Sequence, residues 1–224
     1  MLYFDFINPY IVYFFFLGLT IFSIYAIFTK KDFIRKHKKL IYIIVTILLI
    51  WTQIARYFVV YLRGDFLLTE NLPFYICRLS VVVLLYYVIT KDKRVASFLF
   101  YWGATGFAGI LYPNGPMSNV ANLTETFYID HYLLSITPFF LLVYEGYKPV
   151  RKDLFIITGV VFAILTIFIP INYVLGSDYF YLADQSVFGL LVPNAHVMLF
   201  IIVHTFAVFC LFSIYYNIFK NMKV

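Results

Sequence analysis

Residues 154–174 read LFIITGVVFAILTIFIPINYV, and this stretch decides the fold class. It contains no charged side chain, and most of its residues are aliphatic or aromatic. The hydrocarbon core of a bilayer is about 30 Å thick, so a helix needs about 20 apolar residues to cross it. The stretch therefore predicts a transmembrane helix.

The rest of the chain has the same character. Of its 224 residues, 63% are hydrophobic and 12% are charged, whereas a typical soluble domain has roughly 25% charged residues. We therefore predict an all-α, polytopic integral membrane protein that forms a single domain over residues 1–224. Its seven predicted transmembrane helices cover residues 9–28, 40–62, 74–90, 95–112, 128–145, 154–174 and 196–219.

The basic residues distinguish the two sides of the predicted bundle. Cytoplasmic connections of membrane proteins are enriched in Lys and Arg, so we predict an outside N-terminus and a cytoplasmic C-terminus. The net charge of +6 then reflects orientation and contact with anionic lipid, and we expect no nucleic-acid partner. On the predicted cytoplasmic side lie 14 of the 17 basic residues: Lys30, Lys31, Arg35, Lys36, Lys38, Lys39, Lys91, Lys93, Arg94, Lys148, Arg151, Lys152, Lys220 and Lys223.

Three glycines follow one another at intervals of three residues in the fourth predicted helix. They are Gly103, Gly106 and Gly109. Small residues at such spacing give a helix a smooth strip that another backbone can approach closely. The strip is typical of helix packing, and contact with a ligand is the alternative.

Ionisable side chains at membrane depth are costly and require a partner or a function. Each one here has a structural explanation: an arginine can extend to lipid phosphates, a carboxylate can pair with an arginine, and a free cysteine can pack as a small apolar residue. Their common depth near the outer end of four predicted helices favours a shared site. These residues are Arg56, Cys77, Arg78, Asp130, His131 and His196.

Cys77 has the surroundings of a reactive thiol. If the third helix begins at Pro73, Cys77 lies about 6 Å from the helix start, and a helix N-terminus and a nearby guanidinium both favour thiolate. A neighbouring imidazole, from His131 or His196, could act as general base. The abundant esters of the outer leaflet are phospholipid esters, and their attack would give an S-acyl enzyme. Candidates for stabilising the oxyanion are Arg56, Arg78 and Asn194.

Other uses of these side chains lead to different functions. A disulfide with Cys210 is excluded because Cys210 lies about 20 Å along the last helix, far from the depth of Cys77. A metal site built from Cys77, Asp130, His131 and His196 is geometrically allowed, although no spacing demands it. A transporter or small-molecule receptor would use the same polar cluster without covalent chemistry, and a purely structural cluster would have neither role.

Several short motifs resemble those of the YwaF-like bacterial integral membrane family, which is related to eukaryotic transmembrane protein 164. They are L-P-x-x-x-C at 72–77, L-Y-P-N at 111–114, F-Y-I-D-H-Y at 127–132 and P-N at 193–194. The eukaryotic branch is described as cysteine-dependent phospholipid acyltransferases that use a Cys and a His. The resemblance implies that Cys77 and His131 occupy these two catalytic positions, and it assigns no role to His196.

Together, the residues and the resemblance predict a multi-pass enzyme of the cell membrane. It would transfer an acyl chain between phospholipids and lysophospholipids, or hydrolyse it, through an S-acyl intermediate on Cys77. We expect no cofactor and no bound metal, and the sequence leaves the oligomeric state open. The predicted substrate-binding residues are Arg56, Arg78, Tyr112, Asp130, Asn194 and His196.

Overall fold

The computed structural model describes residues 9–64, 72, 74, 76–111, 125–182 and 196–222. Within these ranges the chain forms helices and no strand, which confirms the all-α prediction. Seven α-helices and two short 3₁₀-helices, Lys93–Val95 and Tyr179–Tyr181, account for nearly all of the described residues. The α-helices are α1 (Pro9–Thr29), α2 (Lys31–Arg63), α3 (Ile76–Thr90), α4 (Ala96–Leu111), α5 (Glu125–Tyr144), α6 (Arg151–Leu175) and α7 (Val197–Phe219).

Five of the described helices, α1, α2, α5, α6 and α7, are long and apolar enough to cross a membrane. The other two, α3 and α4, are shorter and pack among them. Most of α4 is buried, including Trp102 and Gly103. The chain is thus a helical membrane protein, as its composition predicts. The orientation of its termini remains a prediction from the distribution of basic residues.

Several predicted helix boundaries differ from those of the structure, and two of the differences are informative. The basic segment after α1 was expected to be a loop, but α2 begins at Lys31 and runs through it. Lys and Arg are good helix formers, and Asp32 in the first turn favours a helix start. The third helix begins at Ile76 and not at Pro73, since Phe74 lies in a turn. Pro73 itself lies outside the described residues.

Helix α5 is the central element of the bundle. It packs against α1, α2, α3 and α4, with its most extensive contact on α4. As a result, 61% of its membrane span is buried, compared with 17% for α1. Such a position lets one helix present side chains to several neighbours, and α5 carries both Asp130 and His131.

The glycines of α4 produce this close contact. A Cβ added at Gly103 would lie 2.7 Å from the Leu134 carbonyl oxygen and would collide with the ring of Pro138. A Cβ added at Gly106 would lie 2.7 Å from the Leu134 Cβ. Real Cβ atoms do not approach other heavy atoms so closely, so α4 and α5 can only pack this way with glycine at these positions. The predicted packing strip is confirmed.

The bundle has two chemically different ends. At the first, which we call the basic end, Lys38 of α2 forms an ion pair with Glu145 at 2.7 Å, just beyond the end of α5. At the second, the Cys77 end, Arg56 of α2 pairs with Asp130 of α5. Lys38 and Arg56 are separated by about 27 Å along α2 at 1.5 Å per residue. This distance is close to the thickness of a bilayer core.

Candidate active site at the Cys77 end

The side chains of Cys77 and His131 are neighbours, close enough for a hydrogen-bonding interaction. Cys77 is the second residue of α3, and His131 lies in the second turn of α5. Because α3 begins at Ile76, Cys77 lies in its first turn. There the unpaired backbone N–H groups and the positive end of the helix dipole are closest. A thiol and an imidazole in contact at a helix N-terminus are the arrangement of a cysteine nucleophile and its base.

His131 is held in one orientation. Its Nδ1 lies 2.8 Å from the Phe127 carbonyl oxygen, and because a carbonyl only accepts hydrogen bonds, Nδ1 must carry a proton. Nε2, which in the neutral ring has the free lone pair, is therefore the nitrogen available to the neighbouring Cys77 thiol. The Phe127 ring lies against the imidazole with centroids 4.0 Å apart. The imidazole is thus oriented with its basic nitrogen towards the thiol.

The third glycine of α4 lies directly against this imidazole. A Cβ added at Gly109 would stand 2.5 Å from His131 Cδ2 and 2.9 Å from Nε2. The glycine strip that packs α4 against α5 therefore has a second role at Gly109, where it leaves room for the ring of His131. His131 is only 7% exposed as a consequence of this packing. The spacing of Gly109 in the glycine strip is visible in the sequence. Its contact with His131 is not, and sequence reasoning missed it.

Asp130, the residue beside His131, is held in place by a buried polar cluster. Asp130 is 2% exposed; its Oδ2 accepts a hydrogen bond from Arg56 Nη2 at 2.6 Å and its Oδ1 accepts one from Thr52 Oγ1 at 2.8 Å. Gln53 Nε2 also donates to Asp130 Oδ2 at 3.5 Å. The expected pairing of Asp130 with an arginine is confirmed, and the partner is Arg56. Thr52 was missed, although it stands one helical turn from Arg56 and so shares its face of α2.

Arg78 follows Cys77 and supports the entry to α3. Its Nη1 donates to the Leu72 carbonyl oxygen at 3.0 Å, and the Leu72 N–H donates to the Tyr179 hydroxyl at 3.1 Å. Tyr179 is itself held by the Asn172 side chain of α6. Both Arg56 and Arg78 are close enough to Cys77 to interact with it electrostatically. The site thus has two guanidinium groups, one of them paired with Asp130, and one histidine around a thiol.

The remaining sequence-predicted residues divide into two groups. His196 is exposed, and its Nδ1 accepts the Met198 N–H at 3.3 Å as the N-cap of α7. The side chains described around Cys77 come from α2, α3 and α5. Tyr112 and Asn194, which were predicted to bind substrate, lie outside the described residues.

A disulfide and a metal site are the other chemistries that these residue types allow. Cys77 and Cys210 are both free thiols. Across the ranges that the structure describes, no three His, Cys, Asp or Glu side chains converge as a metal site requires. The carboxylate of Asp130 is already engaged by Arg56 and Thr52.

Comparison with known proteins identifies the family. A family model described as the TMEM164 family matches residues 4–216, which is nearly the whole chain. No curated protein and no solved structure matches the chain. The match supports the relation to transmembrane protein 164 that the short motifs indicated, while the narrower YwaF-like bacterial branch stays a prediction. The protein belongs to the TMEM164 family.

Proposed function

We propose that the protein is a phospholipid acyltransferase or acyl hydrolase of the cell membrane, with Cys77 as nucleophile and His131 as general base and acid. The observation that carries the proposal is the proximity of these two side chains at the start of α3. Its support is the orientation of His131, whose Nδ1 is bound to Phe127 so that Nε2 is available to the thiol. The resemblance to cysteine-dependent acyltransferases implies the same pair.

The first half of the reaction forms a thioester. His131 Nε2 takes the thiol proton, and the Cys77 sulfur attacks the carbonyl carbon of a phospholipid acyl ester. When the tetrahedral intermediate collapses, the carbon–oxygen bond to glycerol breaks and the lysophospholipid leaves with the proton from His131. N–H groups in the first turn of α3 and the positive charges of Arg56 and Arg78 are suited to stabilise the oxyanion.

The second half regenerates the thiol. His131 deprotonates the incoming hydroxyl, either of a lysophospholipid or of water, and that oxygen attacks the thioester carbonyl. The carbon–sulfur bond breaks and Cys77 recovers its proton from His131. A lysophospholipid acceptor gives acyl transfer and water gives hydrolysis, so exclusion of water from the site decides between the two reactions.

The predicted substrate-binding residues have different parts in this proposal. Arg78 and Arg56 carry the charges that would attract a lipid phosphate, and Asp130 positions Arg56 through their ion pair. Tyr112, Asn194 and His196 stay proposed contacts of the substrate. His196 is exposed at the start of α7, which suits a contact with a headgroup better than a role in proton transfer.

The experiment is turnover of a phospholipid carrying a labelled acyl chain by protein in nanodiscs. Cys77→Ala is expected to abolish turnover, and His131→Gln to slow it by about 10²–10⁴, the usual contribution of a general base. Cys210→Ala removes the other free thiol and serves as the matched control, which should keep full activity. In the wild type, mass spectrometry should find an acyl group on the Cys77 peptide that hydroxylamine removes.

Full turnover by Cys77→Ala would contradict the proposal. A lipid that stabilises the wild type while no acyl-cysteine forms under any acceptor condition would instead favour the binding function, in which the polar cluster holds a ligand without covalent chemistry. Thermal unfolding of each variant separates these results from simple misfolding.

A further inference from the structure

A cavity that is open to its surroundings lies at the basic end, far from Cys77. It has a volume of about 630 Å³ and is formed by α2 together with the end of α3. Lys39 and Arg56 lie about 25 Å apart along α2, so this cavity and the proposed active site belong to opposite ends of the bundle. The lining residues are Arg35, Lys36, Lys38, Lys39, Tyr42, Ile43, Thr46, Ile47, Val88 and Lys91.

The cavity carries excess positive charge. Five of its lining residues are Lys or Arg, and Lys38 is neutralised by Glu145 at 2.7 Å. Glu145 also accepts a hydrogen bond from Tyr42. Asp32 lies one turn before Arg35 and Lys36 on the same helix and offsets part of their charge, yet cations still outnumber carboxylates here. A pocket of this kind attracts an anion.

One face of α2 changes from cationic to apolar along its length. Arg35, Lys39, Ile43 and Ile47 are spaced by four residues, and this spacing places them in a row on the helix surface. Ile43 is 47% exposed and Ile47 is 60% exposed. A molecule lying along this row would meet amino and guanidinium groups first and then an apolar surface. A phospholipid has the same order of anionic and apolar parts.

Lys91 provides a separate indication. It follows α3 with φ of 57°, a left-handed conformation that normally favours glycine because a Cβ is strained there. Its ammonium group lies over the ring of Tyr42, and burial by the surrounding protein lowers its pKa to about 8. A lysine at a strained and partly desolvated position is explained if its charge has a function.

We propose that this basic cavity binds the phosphate-bearing headgroup of an anionic membrane phospholipid, whose acyl chains lie along Ile43 and Ile47. Arg35, Lys39 and Lys91 hold the phosphate, and Tyr42 positions Lys91. The site is distinct from the proposed active site and does not depend on its chemistry. The binding can therefore be measured in a Cys77→Ala background.

The test measures the thermal stability of purified protein as lipid is added. Phosphatidylglycerol should raise the melting temperature more than phosphatidylcholine, and soluble glycerol phosphate should raise it little. Arg35→Gln/Lys39→Gln should weaken the apparent affinity for phosphatidylglycerol about 25-fold, since each of the two cations near a membrane surface contributes on the order of fivefold. Both positions are exposed, so the variant should fold.

The matched control is Lys30→Gln/Lys152→Gln. It removes the same charge from two exposed positions at the basic end that do not line the cavity, and it should keep the wild-type affinity. Lys91→Gly adds an independent variant: it removes backbone strain, so the lipid-free protein should melt no lower than the wild type, while the response to phosphatidylglycerol should fall.

Three outcomes would overturn the proposal. The first is equal weakening by the cavity variant and its control, which would mean a general surface-charge effect. The second is an unchanged phosphatidylglycerol response in both Arg35→Gln/Lys39→Gln and Lys91→Gly. The third is a response to soluble glycerol phosphate as large as the response to the lipid, which would assign the cavity to a free phosphate compound.

Discussion

His131 shows how one side chain depends on neighbours that carry no chemistry of their own. Phe127 lies one turn earlier on α5. Its carbonyl oxygen accepts a hydrogen bond from His131 Nδ1, and its ring covers one face of the imidazole. Gly109 of α4 leaves the space that the ring occupies. An imidazole fixed in this way keeps Nε2 directed to the thiol, and such orientation is a large part of general-base catalysis.

Gly109→Ala should therefore lower activity more than stability. The added Cβ would meet His131 at 2.5 Å, and the ring would have to move away from Cys77. A displacement of about 1 Å at a catalytic group can reduce the rate on the order of 10²-fold. Lipid turnover in nanodiscs is the measurement.

The control for this prediction is Gly18→Ala on α1. Gly18 has open space around the position of a new Cβ, and alanine is the better helix former, so this variant should keep wild-type activity. Wild-type turnover by Gly109→Ala would show that the imidazole does not need the space next to α4.

At the scale of the helices, the bundle is organised around two contacts of α5. On one side the α4 glycines allow backbone approach at Leu134 and Pro138. On the other, Asp130 reaches Arg56 and Thr52 of α2. Since Asp130 and His131 are adjacent in α5, the ion pair that holds α2 against α5 also fixes the segment that carries the proposed base.

Asp130→Asn should destabilise the protein by about 3 kcal/mol, because it leaves the Arg56 charge without its partner in a largely buried place. We expect the lower end of the usual range, since the Arg56 side chain is 16% exposed and can reach water or lipid phosphates. The free energy of unfolding, from denaturant titration in a mixed micelle, is the measurement.

The double variant Arg56→Met/Asp130→Leu is the comparison for this ion pair. It removes both charges, so it should be less destabilised than Asp130→Asn alone. If the destabilisations of Arg56→Met alone and Asp130→Leu alone simply added in the double variant, the ion pair would contribute nothing specific to the α2–α5 contact.

At the scale of the whole molecule, the lysine-rich cavity and the proposed chemistry occupy opposite ends. The basic end has Lys38, Lys39 and Lys91 around a cavity, whereas the Cys77 end has a thiol, an imidazole and a buried ion pair. If the basic end lies in the cytoplasm, as the positive-inside rule predicts, Cys77 faces the outer leaflet. The orientation thus decides which leaflet supplies the substrate.

This orientation can be tested with epitope tags. A tag after Val224 should be detected only in permeabilised cells, whereas a tag before Met1 should be detected in intact cells. A known cytoplasmic protein, stained in the same cells, controls for membrane integrity. The reverse pattern would place the Cys77 end at the inner leaflet and would require a cytoplasmic source of lipid substrate.

The membrane class, the helical fold and the approximate positions of the helices follow from the sequence alone, because the length of an apolar run is a local property. Residues 154–174 are enough to identify such a helix. Boundaries were less accurate: α2 extends into the basic segment and α3 begins at Ile76, since polar residues at a membrane surface can be helical or not according to their neighbours.

Only the tertiary structure decided which side chains meet. The sequence placed Arg56, Cys77, Asp130 and His131 at a common depth, but depth leaves the rotation of each helix open. Packing of the α4 glycines on α5 fixes the rotation of α5. This rotation directs His131 towards Cys77 and Asp130 towards Arg56. Hydrophobic periodicity encodes which residues enter the membrane, whereas the register between helices depends on the shapes of surfaces far apart in the chain.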